Sequence, residues 1–584
     1  MPLLTFAVLL IALAAAPSTA APSAAAPSAT PPSAPAQPAP AHTAAGVIAW
    51  RPWDRAAFEE ARAEKKLVLL HIAASWSRSG RQMDFETWTD TSVVRVVDQG
   101  FIPVRVDADR RPDIADRYLS GGWPTTAVLS HDGQVLMAQS VVAPQPLRQM
   151  LERVGDLYRQ NRSEIEFRAG ESARRIEHTW KSEPLVPPDM TLEDWVDRNL
   201  AALREAEDHV HGGIEGSPKQ PQFEAVHFLL SASAARGDRA LRSLGLRVLD
   251  AALHLEDTTW GGFFRIAGDE DWKRPRTEKL LDVNARATAA LVGAVEQGGG
   301  TRYRDAARRT EAYAATWLWA PRPGGWYGSQ AADVVLHQGH RPSQDRDAGG
   351  PGRDGGGPGH DSGEPDRGER MLGGDVYYGL SDALRRKQGL PAIDSSLYAE
   401  QNARMAAAVL HGAAAGIWKG APVARAVKAL DRLWTAQRAP DGSLYHEWRE
   451  GRVAVPGRLM DQAAAGLAYL EAYAATKEPR HLARAESIAV WIRTHLEDPV
   501  AGGFRYAPRD SQAIGRLAAG EKPEQGNLDA GWLFFRLWQL KHRPEDRRSA
   551  ERAMEQLRSG DVVVLDPAQA ELGLALEKGT NAKP

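Results

Sequence analysis

Two carboxylates set four residues apart, Glu278 and Asp282, lie in the run EKLLDVNARATAALVGAVEQ. Its apolar spacing predicts a helix, which puts both on one face. At a suitable separation such a pair can act as acid and base on a glycosidic bond. Arg265, Asp271 and Trp272 come just before them, and Trp272, Trp326 and Trp448 offer wide apolar faces able to stack on sugar rings. A simpler reading makes each carboxylate an ion-pair or helix-end partner. Glu278, beside Lys279 and close to Arg276, fits that reading well.

The elements ahead of these residues alternate between strand and helix. Phe58–Lys66 reads as helix, Leu67–Ser75 (LVLLHIAAS) as a buried strand, and a helical stretch follows through Val97. The strand Ile102–Asp107, a short helix Pro112–Leu119 and the strand-like PTTAVL come next. His131-Asp132-Gly133 is a hairpin turn before the strand Gln134–Ser140, and a last helix is expected over Gln145–Gln160. The order β-α-β-α-β-β-α is that of a thioredoxin fold. In a redox member, two cysteines separated by two residues follow the strand, the first at a helix N-terminus that lowers its pKa. Here AASWSRSG puts Ser77 and Gly80 at those two positions, and the whole chain has no cysteine. Thiol–disulfide exchange is therefore excluded, as are disulfide staples and thiolate metal sites. A serine nucleophile would need a neighbouring base, and only Asp84 on the next turn is near. Pro124 in GWPTT stands where this fold places a cis proline, beside backbone that can pair with an extended peptide. A peptide-holding surface and a purely structural platform are both open readings.

After about Thr191 one helical pattern follows another, about a dozen in all. Glycine turns followed by an aromatic or apolar residue recur at His211, Trp260, Gly324, Asp441 and Gly502, with a poorer copy at Ala414. Such a count predicts helical hairpins in a ring, with the aromatics after the glycines lining one mouth. The plainer alternative is ordinary helix–helix connections with packing aromatics.

The chain ends carry different signals. Leu3–Ala16 is an apolar run too short to span a bilayer, and Ser18-Thr19-Ala20 offers a small-x-small cleavage pattern. We expect a signal peptide over 1–21 and an exported, periplasmic or secreted protein. No Lys or Arg precedes the run, so an uncleaved anchor is the alternative. Residues 22–45 are Ala/Pro/Ser repeats and read as a spacer. Residues 338–370, rich in Gly, Asp, Arg and Pro, read as a disordered insertion whose His340 and His360 are bystanders to any metal. Lys plus Arg (72) nearly balances Asp plus Glu (75), which gives no electrostatic case for nucleic acid or an anionic membrane as partner.

Several segments in order resemble the thioredoxin-like proteins related to spermatogenesis-associated protein 20. Ser77-Arg78-Ser79-Gly80-Arg81-Gln82-Met83-Asp84-Phe85-Glu86-Thr87-Trp88 aligns with the family's C-H-W-C-H-V-M-E-x-E-S-F, without its cysteines and following histidine. VDADRRPDIADRY, GWPTTAVLSHDG, GGIEGSPKQP, GGWYGSQAAD, QGNLD and, most specifically, GGFFRIAGDEDWKRPRTEKLLDVNA are similar to further family segments. The resemblance implies a thioredoxin-like domain joined to an (α/α) toroid of the six-hairpin glycosidase and N-acylglucosamine 2-epimerase type. Asp333, left from the family's aspartate pair, joins the candidate site with Asn402 and Asp461 from other hairpins. Departures fall on polar positions: Phe264 and Arg276 replace histidines, Ala331 replaces an aspartate, and Val283 stands at the aspartate of Y-D-N-A. The histidine losses weigh against epimerase chemistry.

The expected architecture is an α/β thioredoxin-like domain over 46–162, a linker over 163–190, and an all-α toroid over 191–584. Candidate catalytic residues are Glu278, Asp282, Asp333 and Asp461. Arg265, Trp272, Trp326, Asn402 and Trp448 are candidate ligand contacts, and Ser77, Gly80 and Pro124 are a degenerate redox site. No metal or cofactor is expected. The leading function is recognition, and in its stronger form processing, of a carbohydrate-like ligand. The alternatives are a noncatalytic peptide-binding or chaperone-like scaffold, and a degenerate enzyme relative kept for stability or assembly. Oligomeric state is left open.

Overall fold

In the computed structural model the residues described are 47–179, 191–337, 369–558, 571–573 and 575–576. The signal segment, the 22–45 spacer and nearly all of the 338–370 insertion lie outside them. All the described residues belong to one compact unit.

The front domain is built on β1 (Leu67–Ala73), whose seven residues are all buried, as in a strand covered on both faces. It pairs in parallel with β2 (Phe101–Asp107) and antiparallel with β3 (Thr125–Leu129), and β4 (Val135–Gln139) completes the order β2-β1-β3-β4. Alternate β1 residues feed two cores. Val68, Leu70 and Ile72 join Trp53, Phe58 and Tyr118, while Leu67 and Leu69 join Val93, Val97 and Leu147. The covering helices are α1 (Arg55–Glu64), α2 (Arg78–Glu86), α3 (Thr91–Gly100), α4 (Pro112–Tyr118) and α5 (Pro144–Thr179). The helical stretch expected through Val97 breaks before Asp90, whose carboxylate accepts from the Ser92 and Val93 amides and starts α3. α5 corrects the expected linker: residues 163–179 are helical, continuing past a kink at the non-helical Asn161.

The back domain pairs inner and outer helices. Outer helices are α6 (Leu192–Glu205), α8 (Arg239–Ala252), α10 (Thr301–Tyr313), α14 (Ala421–Ala436), α16 (Pro479–His495) and α18 (Pro544–Arg558). Inner ones are α7 (Phe223–Arg236), α9 (Leu281–Glu296), α13 (Ala399–Ala414), α15 (Leu459–Thr476) and α17 (Glu524–Lys541), each packed on the next. The C-terminal residues close the ring, because Glu571 meets His227 of α7 and Leu572 lies against Gly531 of α17. The result is an α/α toroid. Between α10 and α13 the chain adds the strand pair Val334–His337 and Glu369–Leu372, which takes in the last two residues of the expected insertion. Two short helices follow, α11 (Gly374–Tyr378) and α12 (Asp382–Gln388).

Inner-to-outer connections are short, and outer-to-inner ones are long and hold five of the six glycine turns; the copy at Ala414 joins α13 to α14 on the opposite side. The residue after each of four turns is pinned by a side-chain amide from the following inner helix, which binds both its N–H and its C=O. Asn284 holds Phe263 (2.8 and 3.3 Å), Asn402 holds Trp326 (2.8 and 2.9 Å), Gln462 holds Leu444 (2.9 and 3.0 Å), and Asn527 holds Phe504 (2.7 and 2.9 Å). All four pinned residues are fully buried. They therefore anchor the mouth loops instead of lining the opening, contrary to the expectation from sequence. An amide suits this place because it both donates and accepts.

Candidate functional site

The front domain sits on the toroid mouth through the very face where a redox member would present its cysteines. Ser77 is buried and caps α2, its Oγ accepting from the Gly80 amide at 3.3 Å. Arg81 reaches the toroid carboxylate Asp333 at 3.1 Å, with Arg78 at 4.0 Å from the same group. Trp76 donates through Nε1 to Asp109 at 2.7 Å, and Arg265 of the toroid covers its ring at 5.1 Å. His446 of the toroid touches the Asp109 carbonyl at 2.8 Å, Tyr506 donates to Asp116 at 2.8 Å, and Arg117 pairs with Glu521 at 2.9 Å. The Trp123–Pro124 bond is cis, as expected, but Pro124 is buried. Trp123 before it keeps 36% of its surface exposed, its ring packed against Trp76 at 5.7 Å.

The carboxylates chosen from sequence do not converge. Glu278 is not on a helix with Asp282. The chain is extended through Lys279–Leu280, paired with Ser329–Gln330, and α9 begins only at Leu281. Glu278 is buried against Arg265 at 2.5 Å, the ion-pair reading. Asp333 accepts from the Gly374 amide at 2.9 Å besides its arginines. Asp461 is enclosed, 2.9 Å from His446 Nδ1, and accepts from the Glu400 amide at 3.0 Å. Asp282 alone faces the interior of the ring.

The candidate ligand contacts are corrected more strongly. Trp272 is buried under the first mouth loop, its Nε1 donating to the Gly212 carbonyl at 3.3 Å. Trp326 is fully buried against Trp319, and Asn402 is the amide that pins it. Neither indole has a free face for a sugar. Trp448 stays half-buried on a strand beside Leu397.

Groups that sequence reasoning passed over gather toward the centre of the ring. Arg286 lies 2.5 Å from Glu224 and 3.0 Å from Asp282. Arg404 lies 3.1 Å from Glu400, 2.6 Å from Asp529 and 3.9 Å from Asp282. A side chain of α13 that meets both α9 and α17 must cross the lumen. Arg458, 2.6 Å from Glu400 and 3.8 Å from Asp116, ties this layer to the front domain. Burial alone would raise Glu400, but Arg458 and Arg404 hold it well below the usual carboxylate range. For Asp529 burial wins over Arg404, and its pKa is raised. Farther along the helices His411 lies between Glu296 and Glu471, which outweigh its burial and push it up to about 9. The signal was present in sequence: Asp282/Arg286 and Glu400/Arg404 are acid-then-arginine pairs at i,i+4 near the starts of otherwise alanine-rich helices.

A second polar space lies between the domains. A cavity of about 140 Å³ is lined by Ser75, Trp76 and Arg110 from the front and by Ser329, Asp394 and Arg449 from the toroid, among others. Behind it sit Asp107 and Asp109. Burial, then Asp107 and Asp394, pushes Asp109 up to about 8, and burial with Asp394 raises Asp107 to about 6. Among the described residues no group of three or more His, Asp or Glu could hold a metal ion, and no helix is long and apolar enough to cross a membrane.

Residues 40–177 match the thioredoxin-like family described as a protein of unknown function, DUF255. The chain is 26% identical over 328 residues to spermatogenesis-associated protein 20 of Homo sapiens, a match covering 51% of this chain and 40% of that protein. It thus spans about two-fifths of the length of this curated relative. Among solved structures it is similar to a D-mannose isomerase (TM-score 0.48, 9% identity, 67% of this chain and 97% of that one). It is also similar to the cellobiose 2-epimerase of Bacillus thermoamylovorans (TM-score 0.48, 9% identity, 66% and 99%). Neither likeness transfers an activity. The front domain thus matches the DUF255 thioredoxin-like family, and about half of the chain is similar to spermatogenesis-associated protein 20, with an α/α toroid behind that domain.

Proposed function

We propose that the toroid lumen binds a polyhydroxylated, carbohydrate-like ligand in an exported protein, with the cysteine-free front domain as its cover. One observation carries this reading. Glu224 and Arg286 keep 42% and 35% of their side-chain surface exposed although they project from inner helices toward the ring centre. Space there is polar and open to water. Its carboxylates accept and its guanidinium groups donate, and a sugar hydroxyl can do both. Recognition is better supported than processing. Glu400 is held well below the usual carboxylate range, and Asp529, whose pKa burial raises, is spanned by Arg404, so neither offers a free proton to a bound sugar.

The test is a thermal-shift and calorimetric screen of the full chain against mono- and oligosaccharides. A ligand at about 100 times its Kd stabilises the native state by about 2.7 kcal/mol. The double variant Glu224→Gln/Arg286→Met removes both members of one pair and should weaken the sugar at least tenfold while the protein stays folded. Silence from every sugar, or a hit indifferent to this variant, would sink the proposal.

A further inference from the structure

The cavity between the domains holds an unmet polar demand. Ser329 is only 2% exposed, and its Oγ, on the cavity wall, has no hydrogen-bond partner. The Nε of Arg449 is also buried without one, and that of Arg110 has only the Glu447 carboxylate, 3.5 Å away. A buried donor or acceptor left unsatisfied is destabilising by about 1–3 kcal/mol, so such walls are kept where something else completes them. Opposite stands Asp394, fixed by Tyr398, whose hydroxyl donates to Oδ2 at 2.6 Å, and by the Ser396 amide, which donates to Oδ1 at 3.1 Å. A carboxylate has about four acceptor sites, so two such bonds leave capacity for a ligand.

The mixture of groups narrows what fits. An anion entering the cavity would meet Asp394 with Asp107 and Asp109 behind it. A cation would meet Arg110 and Arg449. A neutral molecule rich in hydroxyls can donate to Asp394 and accept from both guanidinium groups and from Ser329, with Trp76 as its apolar wall. The volume equals that of roughly four or five liquid waters, which limits the occupant to one small molecule. Ser75, on the rim, is exposed and marks the way in.

We propose that this interdomain cavity binds one small neutral polyol, of sugar-alcohol or single-sugar size, and that occupation clamps the front domain onto the toroid. Three lining residues come from the front domain and seven from the toroid, so a ligand touching both stabilises their docking by its own binding energy. The site is separate from the lumen and stands whether or not the lumen binds a sugar.

The experiment is calorimetry of the full chain with glycerol, erythritol, xylitol, sorbitol and glucose, with citrate and putrescine as charged probes. We expect an affinity optimum at one size in the polyol series and no binding of citrate or putrescine. Ser75→Trp plugs the entrance and should abolish binding. Ser329→Ala keeps the fold, checked by circular dichroism, and should weaken binding several-fold. Glu224→Gln, in the lumen, should leave polyol binding as it was. Absence of binding by every polyol would mean a cavity filled by water only and would overturn the proposal, as would binding indifferent to both cavity variants or preference for a charged probe. Polyol binding lost in Glu224→Gln but kept in Ser75→Trp would put the polyols in the lumen and overturn this proposal.

Discussion

Arg81 at the start of the front domain's second helix and Asp333 in a toroid mouth loop are 252 positions apart and 3.1 Å from each other. The carboxylate is almost wholly buried, with 1% of its side chain exposed. Removing one partner of such a pair strands the other charge, which is destabilising by about 3–5 kcal/mol. Arg78 nearby offsets part of that loss. Arg81→Ala is therefore expected at the low end of the range, with faster limited proteolysis between the domains. Unchanged urea unfolding and proteolysis would show that the docked face contributes nothing.

The amide pins predict a graded series. Asn402→Ala leaves the buried N–H and C=O of Trp326 without partners and should lower stability by about 2–4 kcal/mol. Asn402→Asp restores the acceptor but not the donor. It should fall below wild type as well, because a charge is placed in a buried site. Equal stability of all three proteins in denaturant unfolding would refute the role.

The acid cluster at the domain boundary predicts a pH slope. Asp109 binds its proton more tightly folded, at about 8, than its ordinary 3.8, and Asp107 is displaced the same way to about 6. Between those limits the folded state holds more protons than the unfolded one, so stability falls as pH rises from about 4 toward 8. His446, raised by Asp461 against its own burial, adds in the same direction, since its contribution fades as pH climbs through its folded pKa. Asp109→Asn should flatten the fall in Tm and be the more stable protein at pH 9. Parallel Tm–pH curves for the two proteins would contradict this.

Trp272 separates packing from binding. Its ring fills the space beneath Gly213 and is buried. Trp272→Ala should lower stability by about 3–5 kcal/mol even without any sugar present. A variant of full stability with weakened sugar binding would return Trp272 to the candidate ligand contacts.

Much of the frame was legible in the residues. The apolar run of β1, broken only by His71, declared a strand buried on both faces, and the recurring glycine turns marked the hairpins. Glu278 shows where reading stopped. Its spacing from Asp282 was helical, but pairing of Lys279–Leu280 with Ser329–Gln330 keeps the chain extended until Leu281. Local pattern cannot report a pairing made with a strand some fifty residues away. The tryptophans failed for a related reason, since an indole after a glycine turn looks the same whether it faces a ligand or a core.

By itself the sequence determined what this protein cannot do. A chain without cysteine has no thiolate to exchange with a disulfide, whatever its fold. Only the tertiary structure decided what became of the vacated face. Ser77 turned into a helix cap, Arg81 found Asp333, and the arginines and carboxylates at the starts of the five inner helices met in the lumen. Those meetings depend on distances set by the closing of the ring, and closure is a property of packing among helices far apart in the chain.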